Sequence, residues 1–339
     1  NTDLAAFVRA LLAELAIHQR SLALRPRTMF FGGGTPTMLS ESHLASLLQG
    51  LRGALDLSHL EEFCLEANPR TISPDKARLL RDSGVNRVSL GVQSWDEAVL
   101  RTLGRDHTPD EAAETYDALR HAGMPSVNLD LMFSIPGQTA AIWQGSLEKT
   151  VALGPDHISA YNLTYEEDTA FLRQFETGEL DKNPDRDADQ FFAAHDWLTR
   201  SGFEHYEVSN YSRPGHRSMH NEAYWRGADY LGMGPSAFST VGRHRWKNIP
   251  DTAAWMASLD AGRIPVMESE ELDDAAWLTE RVALELRTAE GLDPAQRSVN
   301  QEQSHRLRAL GLIAPQTDRI QLTREGLALA DTIALDLLT

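Results

Sequence analysis

TMFFGGGTPTML, residues 28–39, decides how this chain is read. An apolar, strand-like run stops at Gly32, Gly33 and Gly34, and Thr35, Pro36 and Thr37 follow. Three uses for such a triplet compete: a phosphate cradle, a contact surface for another ligand, or a tight turn. A Walker loop needs a Lys after its last glycine, and none follows here. The dinucleotide fingerprint needs Gly or Ala three residues past its second glycine, where Thr37 stands. GMGPSA at 232–237 does fit that pattern, but no clear strand precedes it and no helix follows, so it counts as a chance match. What remains is backbone without Cβ atoms, open to close approach. Its bare amides and carbonyls suit an amino-acid-like ligand. A plain turn is the simpler reading, but a plain turn seldom needs three glycines.

Strands and helices alternate outward from this stretch. Leu4, Val8, Leu11, Leu12 and Leu15 recur at helical spacing before it. After it, Ser40 caps a helix, EEFCLEANP reads as a strand stopping at Pro69, and SPDKARLLRDSG is a helix with Ser73 as cap and Gly84 as stop. RVSLGVQS, SVNLDLMFSIPG, DHISAYNLTY and HYEVSNYS are further strands, separated by helices at 108–123, 139–154 and 187–201. Six strands alternating with helices predict an α/β fold with a parallel sheet and right-handed crossovers. A closed or partly closed βα barrel suits them, with an open doubly wound sheet as the alternative.

Composition sets limits. The chain has 339 residues, 42% of them hydrophobic, and a formal charge of −17. That surface repels nucleic acid phosphates and argues against nucleic acid as a partner. No run approaches the ~20 apolar residues of a membrane span, no signal peptide is visible, and one cysteine, Cys64, excludes an internal disulfide framework. A cytoplasmic protein, not integral to a membrane, is expected. Beyond about residue 212 glycine, histidine and aromatics dominate. Residues 268–339 are mostly helical, with one strand candidate at RIQLT and 14 acidic against 7 basic residues. A winged-helix outline is discernible there, but the charge favours packing or docking over DNA binding.

In βα folds ligands sit at the carboxyl ends of the strands. The second strand ends in Glu66, in phase with Cys64, and the third in Gln93, in phase with Ser89 and Gly91. Asp130 lies in the fourth, in phase with Asn128 and Met132, and Arg105 follows the third strand. A carboxylate in so apolar a run costs several kcal/mol unless paired or ligand-bound. Each residue has a plainer role available: Glu66 pairing with Arg87, Asp130 capping a loop. Their repeated position at strand ends favours one shared rim.

FFGGGTPTML, LEANP, SLGVQSWDEAVLRTLGRDHT and NLDLMFSIPGQ together resemble the radical S-adenosylmethionine (SAM) proteins related to oxygen-independent coproporphyrinogen III oxidase. The resemblance covers nearly the whole chain. MHNEAYWRGADYLGMGPSAFS is most similar to the HemW-type haem chaperones, marked by His-Asn-x-x-Tyr-Trp, here His220, Asn221, Tyr224 and Trp225. The resemblance implies a partial (βα)6 barrel with an added strand over 1–212, a connecting segment over 213–267 and an accessory region over 268–339. It implies SAM contacts from Gly32, Gly33, Gly34, Thr35, Glu66, Gln93, Arg105 and Asp130. It also implies a [4Fe-4S] cluster on Cys-x-x-x-Cys-x-x-Cys, which this chain lacks. The sequence starts without Met and midway through the expected barrel, which favours a first strand and cluster loop upstream of Asn1 over a natural variant without the cluster, and the chain as written is not expected to cleave SAM.

Residues 206–246 hold seven aromatics where the chain average of 7% gives about three. Such a stretch offers stacking partners to a flat macrocycle. His216 and His220 are four apart, with His205 and His244 near in sequence. Imidazole ligates haem iron, whereas a zinc site lacks a third ligand. A packed aromatic belt is the plain alternative. With the resemblance, His220 becomes the candidate iron ligand, and Asn221, Tyr224 and Trp225 the haem contacts. The leading function is a haem chaperone delivering haem to respiratory haem proteins, with a homodimer as candidate assembly. A coproporphyrinogen oxidase, decarboxylating porphyrinogen propionates, and a scaffold binding neither ligand are the rivals.

Overall fold

A computed structural model of the chain describes residues 3–165, 170–177, 183–315 and 318–339. Five parallel strands run side by side: β1 (Thr28–Phe31), β2 (Glu62–Ala67), β3 (Arg87–Gln93), β4 (Ser126–Phe133) and β5 (His157–Asn162). Beyond β5 the sheet continues through β6 (Glu204–Glu207) and β7 (Asn210–Ser212), in the order β1-β2-β3-β4-β5-β7-β6. HYEVSNYS, expected as a sixth parallel strand, is therefore a hairpin. Two residues separate β6 from β7, far too few for the crossover that a parallel pair requires, and β7 runs antiparallel to both β5 and β6. The whole is a curled half-barrel sheet.

The helices between the parallel strands start on side-chain caps. Ser40, Ser73, Thr108 and Thr139 accept amides at the starts of Glu41–Ala54, Pro74–Asp82, Pro109–His121 and Ala140–Leu153. The helix expected over 187–201 begins earlier, at Pro184, because Asn183 caps it. These helices cover one face of the sheet. Phe63, Leu65, Val88, Leu90, Val127, Leu129 and Ile158 point into that layer and form one continuous core. The alternate positions, Glu62, Cys64, Glu66, Arg87, Ser89, Ser126, Asn128, Asp130, His157 and Ser159, share the other, concave face.

The first helix, Leu4–His18, buries Glu14 entirely. Its carboxylate accepts the Gly234 amide at 2.8 Å and the Asn248 side chain at 2.6 Å. GMGPSA is thus a loop whose amide serves Glu14, with no strand leading in and no helix leading out. A second sheet, β8 (Phe238–Val241), β9 (His244–Asn248) and β10 (Val266–Glu271), is antiparallel, and β10 runs across residue 267. The last region packs helices Asp274–Leu286, Gln301–Ala309 and Ala330–Leu338 around Val282, Leu286, Leu307, Ile313 and Ile333. RIQLT makes only single bridges there, Leu292 with Ile320 and Ile313 with Leu322. Two backbone bonds tie this region to the hairpin, Val208 N–H to the Arg287 carbonyl and Ala289 N–H to the Tyr206 carbonyl, both 2.9 Å. Among the described residues no helix is long and apolar enough to cross a membrane.

Burial pushes Glu14 up to about 7, against the pull of its amide donors. Its pKa in the fold lies above the ordinary carboxylate value, so its contribution to stability is fully present near pH 4.5 and is lost as pH rises towards 7. Glu14→Gln should flatten the dependence of the denaturation midpoint on pH across that window. A slope equal to that of the unaltered chain would show that Glu14 is ionised throughout.

Candidate functional site

The glycine triplet lies at the carboxyl end of β1. A Cβ on Gly32 would strike the Phe30 ring and come within 2.9 Å of the Glu66 carboxyl carbon. Gly33 has φ +75, a conformation that glycine adopts without strain, and its N–H donates to Glu66. Nothing lies within 4 Å of where Cβ atoms on Gly33 and Gly34 would stand. Neighbouring polar groups fix this loop in place. Asn68 donates to Thr35 Oγ1 at 2.9 Å, the Thr37 and Thr71 hydroxyls meet at 2.6 Å, and Lys76 Nζ donates to the Thr37 and Thr71 carbonyls at 2.7 and 2.9 Å.

Two carboxylates face this opening. Glu66, half-buried, is pushed up to about 7 by burial first and by the charge of Asp130 second. Burial also raises Asp130, while hydrogen bonds from Ser89, Ser159 and Asn128 and the charge of Arg105 favour its ionised form. The Ser89 hydroxyl donates to Asp130 Oδ2 at 2.9 Å and Asn128 Nδ2 to Oδ1 at 2.7 Å. Gln93 takes φ 65 where the register between β3 and β4 shifts. That conformation costs a non-glycine residue roughly 1–3 kcal/mol and gathers at ligand sites. Tyr161, on the same face and absent from the sequence reading, is raised by burial and then by Asp130.

The opposite end of the same face is closed by protein. Glu62 and Arg87, the first residues of β2 and β3, form a buried pair at 2.8 Å. The pairing of Glu66 with Arg87 weighed above does not occur. Register sets Arg87 opposite Cys64 and Ser89 opposite Glu66, so Glu62 is the carboxylate within reach. Glu62 also accepts the Met219 and His220 amides, each at 3.0 Å, and Arg87 Nη2 donates to the His216 and Arg217 carbonyls at 2.7 and 2.8 Å. The pair therefore grips the start of the helix Met219–Trp225, whose cap is Ser218.

His220 enters the concave face from that helix. Its ring stacks on Phe30 with centroids 4.7 Å apart, and Nδ1 lies 3.4 Å from Thr28 Oγ1. Burial lowers its pKa, with Glu62 opposing, so the imidazole is neutral and able to ligate a metal. The Asn221 amide donates to Ser218 Oγ. Tyr224 is 44% exposed and meets Trp225 edge-on and Tyr230, each with centroids 5.5 Å apart. The Arg287 guanidinium lies 5.3 Å from the centre of the Trp225 ring. The other histidines do not converge: His205 stacks on Tyr211 and meets His195, His216 reaches Ser126, and His244 lies beside Glu271.

The candidate residues thus fall into two sets at opposite ends of the strands, with Phe30 between them. Cofactors can be weighed against each. The open glycine backbone and the facing carboxylates fit a ligand carrying an ammonium group, as SAM does. A [4Fe-4S] cluster does not fit the residues present. Cys64 is buried and its thiol is driven up by burial, which keeps it protonated, and no group of three metal-capable side chains exists among the described residues.

Comparison with known proteins identifies the relatives of the chain. Residues 11–149 match the model of the radical SAM superfamily. The heme chaperone HemW of Mycobacterium tuberculosis is 37% identical over 333 residues, 97% of this chain and 85% of the relative. HemW of Lactococcus lactis is 35% identical over 267 residues, 78% of this chain and 70% of the relative. Among solved structures, Escherichia coli coproporphyrinogen III oxidase (HemN), a radical SAM enzyme, superposes with a TM-score of 0.81 at 23% identity, covering 98% of this chain and 82% of the other. At that identity the likeness is one of fold.

Arg87→Met leaves the Glu62 charge buried beside two amides and without its counter-charge. It should lower the unfolding free energy by about 3–5 kcal/mol, read from denaturant titration. A change below about 1 kcal/mol would mean that the helix amides alone hold Glu62.

Proposed function

The chain belongs to the HemW family of heme chaperones within the radical SAM superfamily, and from that premise we propose that it binds haem at the helix Met219–Trp225 and passes it to respiratory haem proteins in the cytoplasm. The observation that supports this reading is a neutral imidazole on a helix pinned by a buried charge pair, beside an exposed tyrosine and a tryptophan. Since Nδ1 of His220 faces Thr28, Nε2 is the nitrogen proposed for the iron. Tyr224 and Trp225 would stack against the macrocycle, and Asn221 would line its edge. Residues 1–212 are then the cofactor half, 213–267 the haem-facing segment and 268–339 an accessory region.

At the other end Gly32, Gly33, Gly34, Thr35, Glu66, Gln93, Arg105 and Asp130 are proposed to hold SAM. When bound, SAM supplies a sulfonium centre that carries an amino-acid tail and a ribose. The chain's own part is to receive its ammonium group on Glu66 or Asp130 and to admit its tail over the bare backbone of Gly33 and Gly34.

An anaerobic haem titration followed by Soret absorbance tests the first half. The chain should show a saturable shift at micromolar haem, and His220→Ala should weaken binding at least tenfold, about 1.4 kcal/mol. No saturable shift would discard the haem reading. For the second half, SAM at a large excess over its dissociation constant should raise the melting temperature. Asp130→Asn should remove most of that rise, and a rise undiminished in the variant would move SAM elsewhere.

A further inference from the structure

One run of buried side chains crosses the concave face from the helix bearing His220 to Asp130. The Ser218 amide lies 3.2 Å from the Tyr206 phenolic oxygen, which lies 2.8 Å from His157 Nε2. His157 Nδ1 is 2.7 Å from Asn128 Oδ1, and Asn128 Nδ2 is 2.7 Å from Asp130 Oδ1. Asn128, His157, Tyr206 and Ser218 are all buried. Water does not compete for these bonds, and each broken link would leave a buried polar group bare.

Chemistry fixes the sense of every link. The Asp130 carboxylate accepts, so the Asn128 amide must turn its NH2 towards it, and the Ser89 and Ser159 hydroxyls lie on that same side at 2.6 and 2.9 Å. The Asn128 carbonyl oxygen then faces His157 and can only accept, so the proton of His157 is on Nδ1. Burial, with Arg87 and His216 near, keeps this imidazole neutral, so Nε2 accepts from the Tyr206 hydroxyl. The Tyr206 oxygen in turn accepts the Ser218 N–H. Donors point one way throughout, from the helix cap to the carboxylate.

We propose that His157 and Tyr206 are positioning residues that couple Asp130 to the helix carrying His220, so that a ligand held at Asp130 changes the affinity for haem at the other end. The coupling deepens the two-ended reading given above and rests on it. A ligand ammonium that draws on Asp130 weakens its hold on Asn128, and the change passes to Ser218, one residue before the helix. Linkage makes the effect reciprocal: haem would change the affinity for SAM by the same factor.

The test uses the chain with 15N-labelled histidine and three variants. Tyr206→Phe cuts the relay while keeping its packing, and Asp130→Asn changes its terminus. Tyr211→Phe, in the same hairpin, removes a buried hydroxyl that has no hydrogen-bond partner among the described residues and serves as the control. His157 should show the Nδ1–H tautomer. The imidazole signals of His220 should move in Tyr206→Phe and in Asp130→Asn, and stay in Tyr211→Phe. Haem affinity should fall roughly tenfold in Tyr206→Phe, and SAM should alter haem affinity in the unaltered chain but not in that variant. An Nε2–H tautomer at His157, or His220 signals in Asp130→Asn identical to those of the unaltered chain, would overturn the relay whatever haem does. Haem that fails to bind while His220 still responds to Asp130→Asn would support the relay and remove the haem reading instead.

Discussion

A parallel sheet is ordinarily apolar on both faces because helices cover both. Here one face is apolar and the other carries a polar or charged residue at nearly every inward position, and everything in the molecule answers to the need to satisfy that face. Unpaired polar groups in such a place cost more than a fold of ordinary stability can bear. At the amino ends of the strands the protein itself supplies most partners: Glu62 and Arg87 take one another and the backbone of residues 216–220, leaving Arg87 Nη1 without one among the described residues. In the middle Asn128, Ser159 and His157 bond across strands. At the carboxyl ends the partners are neutral: Asp130 takes the Ser89, Ser159 and Asn128 side chains and Glu66 the Gly33 amide, and burial raises both pKa values. The end where two carboxylates meet neutral groups beside open glycine backbone is the end suited to a cationic ligand.

The Glu62–Arg87 pair shows how such a face gains specificity at little profit in stability. Two buried charges lose hydration that their attraction only partly restores. What the arrangement adds is direction. A carboxylate that must take two consecutive amides fixes where the helix Met219–Trp225 begins and how it is rotated. His220 is the second of those amides, so the angle at which its ring meets Phe30 follows from a charge on another strand.

Local signals carried much of this into the sequence. The five parallel strands follow from alternation, and their helices from Ser, Thr, Pro and Gly at the ends. Glu66, Asp130 and the glycines were legible because strand phase alone sets them on one rim. Other features depend on distances that no local pattern encodes. HYEVSNYS has the composition of a strand, and only the return at Val208 and Ser209 makes it two. Glu62 meets His220 across 158 residues. His157 and Tyr206 become partners only once the hairpin folds back on β5. A charged or imidazole residue opening a strand, in phase with a polar residue further along, was the available clue to Glu62, Arg87 and His157. The histidines of 205–244, grouped by sequence, separate in space because strands and helices carry them to different faces.

Phe30 has a role beyond packing. Its ring lies flat on the His220 imidazole, and its edge lies where a side chain on Gly32 would intrude. One aromatic ring therefore borders both ends: its face carries the imidazole and its edge limits position 32 to glycine. A side chain added at Gly32 would displace the ring on which the imidazole rests, so a change at the acidic end would be registered at the imidazole.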